Sequence, residues 1–456
     1  MHKHKDRTAS PSWLEADRRH AWHPYTQHGL DEALLPVASA KGARLKLSDG
    51  RELIDAISSW WSILHGHAEP ALLEAMSAQA ATLDHVLYAG CSHEPAARLA
   101  EELVQTAARL ADDRRKLERV FYSDNGSTAI EVALKAAYQF HLRRGEGQRQ
   151  VFLALEGAYH GDTFGAMAVG DPVPFFQEFD PLLFDVVRVP IDAEALRASA
   201  AELGNRLCAI ILEPGIQGAA GMRAVPAEVV RAAREACDRE GGLLIADEVM
   251  TGFGRTGRLF ACELSGVCPD FLALAKGLTG GIMPLSATLM SEEVFAAFHD
   301  SDRSRSFFHG HTFTAHPIGC AVARASLKLV QERDTPKLLD RVGQQIETAV
   351  RAALSEHTEL PALTVRRVGG MVAVEAPDQD DHGYLAPIGE MLRAACRACP
   401  DVLLRPLGPV LYALPPACTR PDEAATIGRS IVDTYALAWQ RATSSAHPPT
   451  HAISRR

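Results

Sequence analysis

The chain of 456 residues has no apolar run near the ~20 residues that would span a bilayer, so no transmembrane helix is expected. Its first residues, MHKHKDRTASPSW, lack the apolar core of a secretory signal. A basic excess is missing too. The net charge of −10 argues against nucleic-acid binding, which calls for a basic face. The nine cysteines follow no repeated spacing, which fits reduced thiols in a cytoplasm rather than a disulfide framework. Cys396 and Cys399 form a CxxC, but they fall in the helix-like run EMLRAACRACP and are expected to be helix residues rather than a redox pair. Neither His65-Gly-His67 nor His309-Gly-His311 has the companion ligands of a zinc site, so no metal is expected.

What is present is an ordinary globular composition, 47% hydrophobic and 23% charged. Apolar strands alternate with amphipathic helices from Arg119 to Leu289, which predicts an α/β domain with a mostly parallel sheet covered on both faces. Beyond PIGCAVARASLKLVQE the pattern becomes α+β: a long charged helix, paired strands in TVRRVGGMVAVEA, and a second hairpin in VLLRPLGPVLYALPP. We therefore expect a large domain over 61–325 and a small α+β domain over 326–442. The N-terminal segment 1–60 should pack with the small domain, and 443–456 should be a disordered tail. ARLKLSDGRELIDAISSWW reads as a hairpin around Asp49-Gly50, with Trp60 and Trp61 on its second strand. Strand alternation would point them to opposite faces, so either both are core or one lines a cavity.

The most informative stretch runs from Leu243 to Gly281. A buried-strand pattern, LLIADEV, carries Asp247 and Glu248; a second apolar run, FLALA, leads into Lys276. An unpaired charge in an apolar setting costs several kcal/mol, and two such insertions 29 residues apart suggest a site that uses both. GFGRTG, between them, matches the dinucleotide pattern GxGxxG. It lacks the long helix that fingerprint requires and follows two acids, so a nicotinamide-dependent oxidoreductase is a remote alternative. Upstream, SDNGSTAIEVALK places Asn125–Thr128 between a strand and a helix, where backbone amides suit either an anion or simple N-capping. Pyridoxal phosphate needs a lysine, a carboxylate at its ring nitrogen, a phosphate cup and an aromatic face. Lys276, Asp247, the Gly126–Thr128 turn and Tyr159 would meet all four needs.

IADEVMTGFGRTG, LALAKGLTGG and EPGIQGAAGM together resemble the class III aminotransferases of the fold-type I pyridoxal-phosphate superfamily. WHPYTQ, SSWW, DNGSTAIEVALK, GAYHGDTFGAM, FFHGHTFTAHP and RPLGPVLYALPP resemble its biotin-synthesis branch, across roughly residues 20–416. The resemblance implies that Lys276 binds the cofactor aldehyde and shuttles the proton, and that Asp247 pairs with the ring nitrogen. Gly126 and Ser127 would hold the phosphate, joined by Thr312 from the other subunit of a homodimer. Tyr159 would stack on the ring; Tyr25, Trp60, Trp61 and Gly310 would line the substrate pocket, with Tyr25 also counted among the catalytic residues. Arg405 would bind a carboxylate, and Tyr412 adds to the same pocket. The implied substrates are 8-amino-7-oxononanoate and, as amino donor, S-adenosylmethionine. Lysine as donor, or an ω-aminotransferase of other substrates, are the alternatives. Gln217-Gly218-Ala219-Ala220-Gly221 lacks the glutamate of relatives acting on ornithine or 4-aminobutyrate. His311 stands where some members of the branch have proline.

Overall fold

The computed structural model describes residues 11–30, 34–377 and 383–445. The expectations for the first ten residues and for 446–456 lie outside this range. Residues 443–445 continue the last helix, Pro421–Ser445, rather than starting a tail. Among the described residues no helix is long and apolar enough to cross a membrane.

The central sheet has seven strands in the order Arg119–Ser123, Ser286–Met290, Phe271–Leu274, Leu243–Asp247, Leu207–Leu212, Val151–Leu155, Val186–Val189. Only Ser286–Met290 runs antiparallel to its neighbours, so the sheet is mostly parallel as the alternating pattern predicts. Leu207–Leu212 is buried at every residue, as a strand covered on both faces must be. Successive residues face opposite layers. Ala209 and Ile211 pack with helix Gly126–Arg143 through Ile130, Ala133 and Ala137. Ile210 and Leu212 pack with helix Ala227–Glu240 through Val229, Val230 and Ala233. Each fully buried Ile or Leu contributes roughly 1.5–3 kcal/mol.

Two smaller sheets carry the rest. Val37–Lys41, Arg44–Leu47 and Glu52–Asp55 form an antiparallel meander, and Val402–Leu403 adds to it in parallel beside Glu52–Asp55. Thr364–Val368, Met371–Glu375 and Val410–Ala413 form the third sheet. VLLRPLGPVLYALPP is therefore not a hairpin. Its two strands belong to different sheets, and Arg405 lies in the crossing between them. Pro406 has no N–H to give a ladder, and Gly408, at φ +57, turns the chain away. Helix Pro317–Glu332 runs unbroken and packs on helices Pro70–Ala80 and Glu94–Ala107; helix Thr335–Glu356 packs along Pro421–Ser445.

Candidate active site

A cavity of about 450 Å³ lies at the carboxyl edge of the central sheet, the usual ligand position in open α/β sheets. Five of the parallel strands deliver side chains as they end: Ser127 just past Arg119–Ser123, Tyr159 and His160 past Val151–Leu155, Glu213 past Leu207–Leu212, Asp247 at the end of its strand, and Lys276 past Phe271–Leu274. Strand alternation separates the two adjacent acids. Asp247 faces the cavity; Glu248 is fully buried on the other side, where its carboxylate accepts the amides of Ala261 (2.6 Å) and Cys262 (2.8 Å). Burial pushes Glu248 up to about 7, and the two amides oppose that rise. Its role is to close the GFGRTG loop, which runs into the short turn Ala261–Leu264 rather than into a long helix.

Asp247 is held on both oxygens. Oδ1 accepts the Val249 amide at 3.0 Å, and Oδ2 is 2.7 Å from His160 Nδ1. Lys276 is half-buried, and desolvation lowers its amine below the ordinary lysine range, opposed by the carboxylates of Asp247, Glu213 and Asp162. Its Nζ lies 4.7 Å from the centroid of Trp61. Glu213 accepts the amides of Tyr159 (3.2 Å) and Gly218 (2.9 Å), and burial raises its carboxyl to about 7.

At the start of helix Gly126–Arg143, Asn125 and Thr128 form a capping box. That box satisfies the Asn125 and Thr128 amides and leaves those of Gly126 and Ser127 without intrahelical partners at the cavity wall. The N-capping reading of this turn therefore holds. Gly161, at φ +130, crosses so close to Ser127 that a Cβ would meet its Oγ at 2.1 Å. Ser127 Oγ in turn accepts the Asp162 amide at 3.1 Å.

An aromatic wall continues outward. Tyr159 donates to Asp162 at 3.0 Å; Tyr25 donates to the same carboxylate at 2.7 and 2.8 Å. Tyr25 meets Trp60 edge-on at 5.5 Å, and the Arg405 guanidinium sits over Trp60 at 4.9 Å. Among the described residues no carboxylate pairs with Arg405. Trp61 Nε1 donates to Tyr412 Oη at 2.9 Å.

The tryptophans are not on a strand. Glu52–Asp55 ends first, and Ser58, Ser59, Trp60 and Trp61 follow at φ 50, 44, 70 and 76. Such left-handed residues cost roughly 1–2 kcal/mol each when they carry a Cβ. The turn buries Trp61 (4% exposed) and leaves Trp60 at 39%. Of the residues expected at the site, Lys276, Asp247, Gly126, Ser127, Tyr159 and Trp61 line the cavity; Tyr25, Trp60 and Arg405 follow in contact with its wall. Gly310 and Thr312 do not line it. They lie on the loop after Arg303–Arg305, where His309 meets Lys135 and Phe313 meets His85.

The family model of class III aminotransferases matches residues 25–434. The chain belongs to the class III aminotransferases. Members of this family depend on pyridoxal phosphate. The adenosylmethionine-8-amino-7-oxononanoate aminotransferase of Synechococcus elongatus is 45% identical over 428 residues, which cover 91% of this chain and 98% of its own. The enzyme of that name from Geobacter sulfurreducens is 38% identical, over 89% and 93% of the two chains. Among solved structures, the enzyme of the same name from Methanocaldococcus jannaschii superposes with a TM-score of 0.86 at 31% identity, covering 93% of this chain and 98% of that one. A PLP-bound amine transaminase from an uncultivated Pseudomonas species gives 0.82 at 30%, over 91% and 98%. These similarities bear out the fold-type I class III aminotransferase architecture expected from the motifs.

The cavity fits the cofactor by its chemistry. It offers a desolvated amine, a carboxylate fixed by a histidine, and paired free amides at a helix start where a phosphate is favoured. Sequence reasoning overlooked His160 and Glu213. Glu213 shares a signal with Asp247, an acid ending a wholly apolar strand, whereas nothing local marks His160.

Proposed function

We propose that the chain transfers an amino group to 8-amino-7-oxononanoate, forming 7,8-diaminononanoate for biotin synthesis, with S-adenosylmethionine as donor. The observation that carries this reading is the continuous path from Lys276 along an aromatic wall to Arg405, which pairs with no carboxylate among the described residues. It suits a long apolar chain that ends in a carboxylate. The names of the relatives above support the same substrates.

Bound pyridoxal phosphate supplies an aldehyde for the amino group and a ring that takes up electron density. Lys276 Nζ would hold that aldehyde, and as an amine whose charged form desolvation disfavours it would also move the proton. Asp247 would hold the ring nitrogen, while His160 fixes the rotation of the Asp247 side chain. The Gly126 and Ser127 amides would hold the cofactor's phosphate, and Tyr159 would cover the ring face. Tyr25, anchored by Asp162, and the two tryptophans exclude water and hold the apolar chain, with Tyr412 bracing Trp61. Arg405 takes the carboxylate as a charge-assisted pair. Gly310 and Thr312 act in the site of a second copy, in a homodimer.

The donor is tested by mixing the loaded enzyme separately with S-adenosylmethionine and with lysine and following its visible absorbance. Bleaching by S-adenosylmethionine alone is expected. Bleaching by lysine alone would move the assignment to a lysine donor.

A further inference from the structure

Asp55 closes the strand Glu52–Asp55 and is fully buried, yet none of its side-chain hydrogen bonds serves that strand. Oδ1 accepts the amides of Ile57 (3.3 Å) and Ser59 (3.0 Å). Oδ2 accepts the Ser59 hydroxyl at 2.7 Å and lies 2.8 Å from His67 Nε2. These contacts bind the head of the left-handed run Ser58–Trp61. Side chains with a Cβ keep such a conformation only where the surroundings over-determine it. The far end is held by Arg255, which donates to the carbonyls of Trp61 and Ile63, while at the head Ser58 Oγ also donates to Leu414 O.

The consequence is where the two rings end up. An extended continuation would carry them about 3.3 Å per residue farther along the strand axis. The turn instead folds them back, Trp61 beside Lys276 Nζ and Trp60 beneath Arg405. A nucleophilic Ser-His-Asp reading of Ser59, His67 and Asp55 fails on geometry. Ser59 gives its proton to Asp55, and the His67 nitrogen 3.5 Å from Ser59 is the same one that faces the carboxylate.

We propose that Asp55, tethered by His67, is a positioning residue that sets Trp60 and Trp61, and through them the binding of the apolar oxo acid. This rests on the proposed function above.

The test uses holoenzyme carrying Asp55→Asn, His67→Ala or His67→Gln. For each, KM and kcat for 8-amino-7-oxononanoate, cofactor absorbance and tryptophan emission are measured. Loss of a hydrogen bond to a charged group should raise KM about tenfold in Asp55→Asn and His67→Ala, with cofactor absorbance retained and kcat little changed. His67→Gln keeps an N–H for the carboxylate and should stay within about twofold of wild type. Emission should shift in the first two variants, and the shift should vanish in a Trp60→Phe, Trp61→Phe background. Wild-type KM in Asp55→Asn and His67→Ala would overturn the proposal. So would activity that falls only in proportion to bound cofactor, since that marks a merely structural role. If Asp55→Asn does not fold, His67→Ala decides, because His67 lies at the edge of the cluster. A wild-type enzyme inactive on 8-amino-7-oxononanoate would refute the proposed function instead, and the emission arm would still judge the role of Asp55.

Discussion

Replacing Glu213 by glutamine should change the pH dependence of stability in a direction fixed by its surroundings. Glu213 is 5% exposed, and burial raises its carboxyl from the usual 4.5 to about 7; His160 and the Gly218 and Tyr159 amides oppose the rise, and Asp247 adds to it. The folded value lies above the unfolded one, so between about pH 4.5 and 7 the folded chain holds a proton that the unfolded chain has released. The stabilisation is complete below the unfolded value and is lost as pH rises through the folded one. At about 1.4 kcal/mol per unit, the loss is about 3 kcal/mol. The side-chain amide in Glu213→Gln cannot titrate and also gives up one of the two backbone amide contacts, a cost independent of pH of about 1–3 kcal/mol. The wild-type melting midpoint minus that of Glu213→Gln should therefore fall from pH 5 to pH 8. With an unfolding entropy of about 1 kcal/mol/K for a chain of this size, the fall is about 3 °C. Thermal scans of both proteins at matched pH values measure it. A difference that stays constant across this range would refute the reasoning.

Other expectations concern the site. His160→Ala removes the 2.7 Å contact that orients Asp247; kcat should drop roughly 10–100-fold, as expected for losing a charge-assisted hydrogen bond, and a rate unchanged in stopped-flow half-reactions would count against that role. Arg405→Ala should raise KM for the oxo acid by roughly 10–100-fold. Steady-state kinetics on an uncharged ester of the same acid should show little effect of that substitution. Thr312→Ala should weaken cofactor retention on dialysis, by about tenfold for one lost phosphate contact. Equal retention by variant and wild type would remove Thr312 from the site.

The α/β layer was legible because its strands are unbroken apolar runs, such as LCAIIL and FLALA, separated by helices with a clear apolar stripe. Asp247 and Lys276 stood out for the same reason, as charges set into apolar runs. What could not be read locally depended on distant partners. His160 finds Asp247 across 87 residues, and no periodicity records that contact. The tryptophans continue an apolar strand pattern, and their aromatic side chains favour strands. The carboxylate of Asp55 wins instead, by capturing the amides of a left-handed turn. In RPLGPV, the proline and glycine suggested a hairpin turn, but the strand on the N-terminal side of Arg405 finds its partner in Glu52–Asp55, far earlier in the chain.

The central claim is most directly tested by supplying the purified holoenzyme with S-adenosylmethionine and 8-amino-7-oxononanoate and quantifying 7,8-diaminononanoate by mass spectrometry, alongside Lys276→Ala. Steady product formation by the wild type and none by the variant is the predicted result. No product from the wild type, or full activity in the variant, would contradict it.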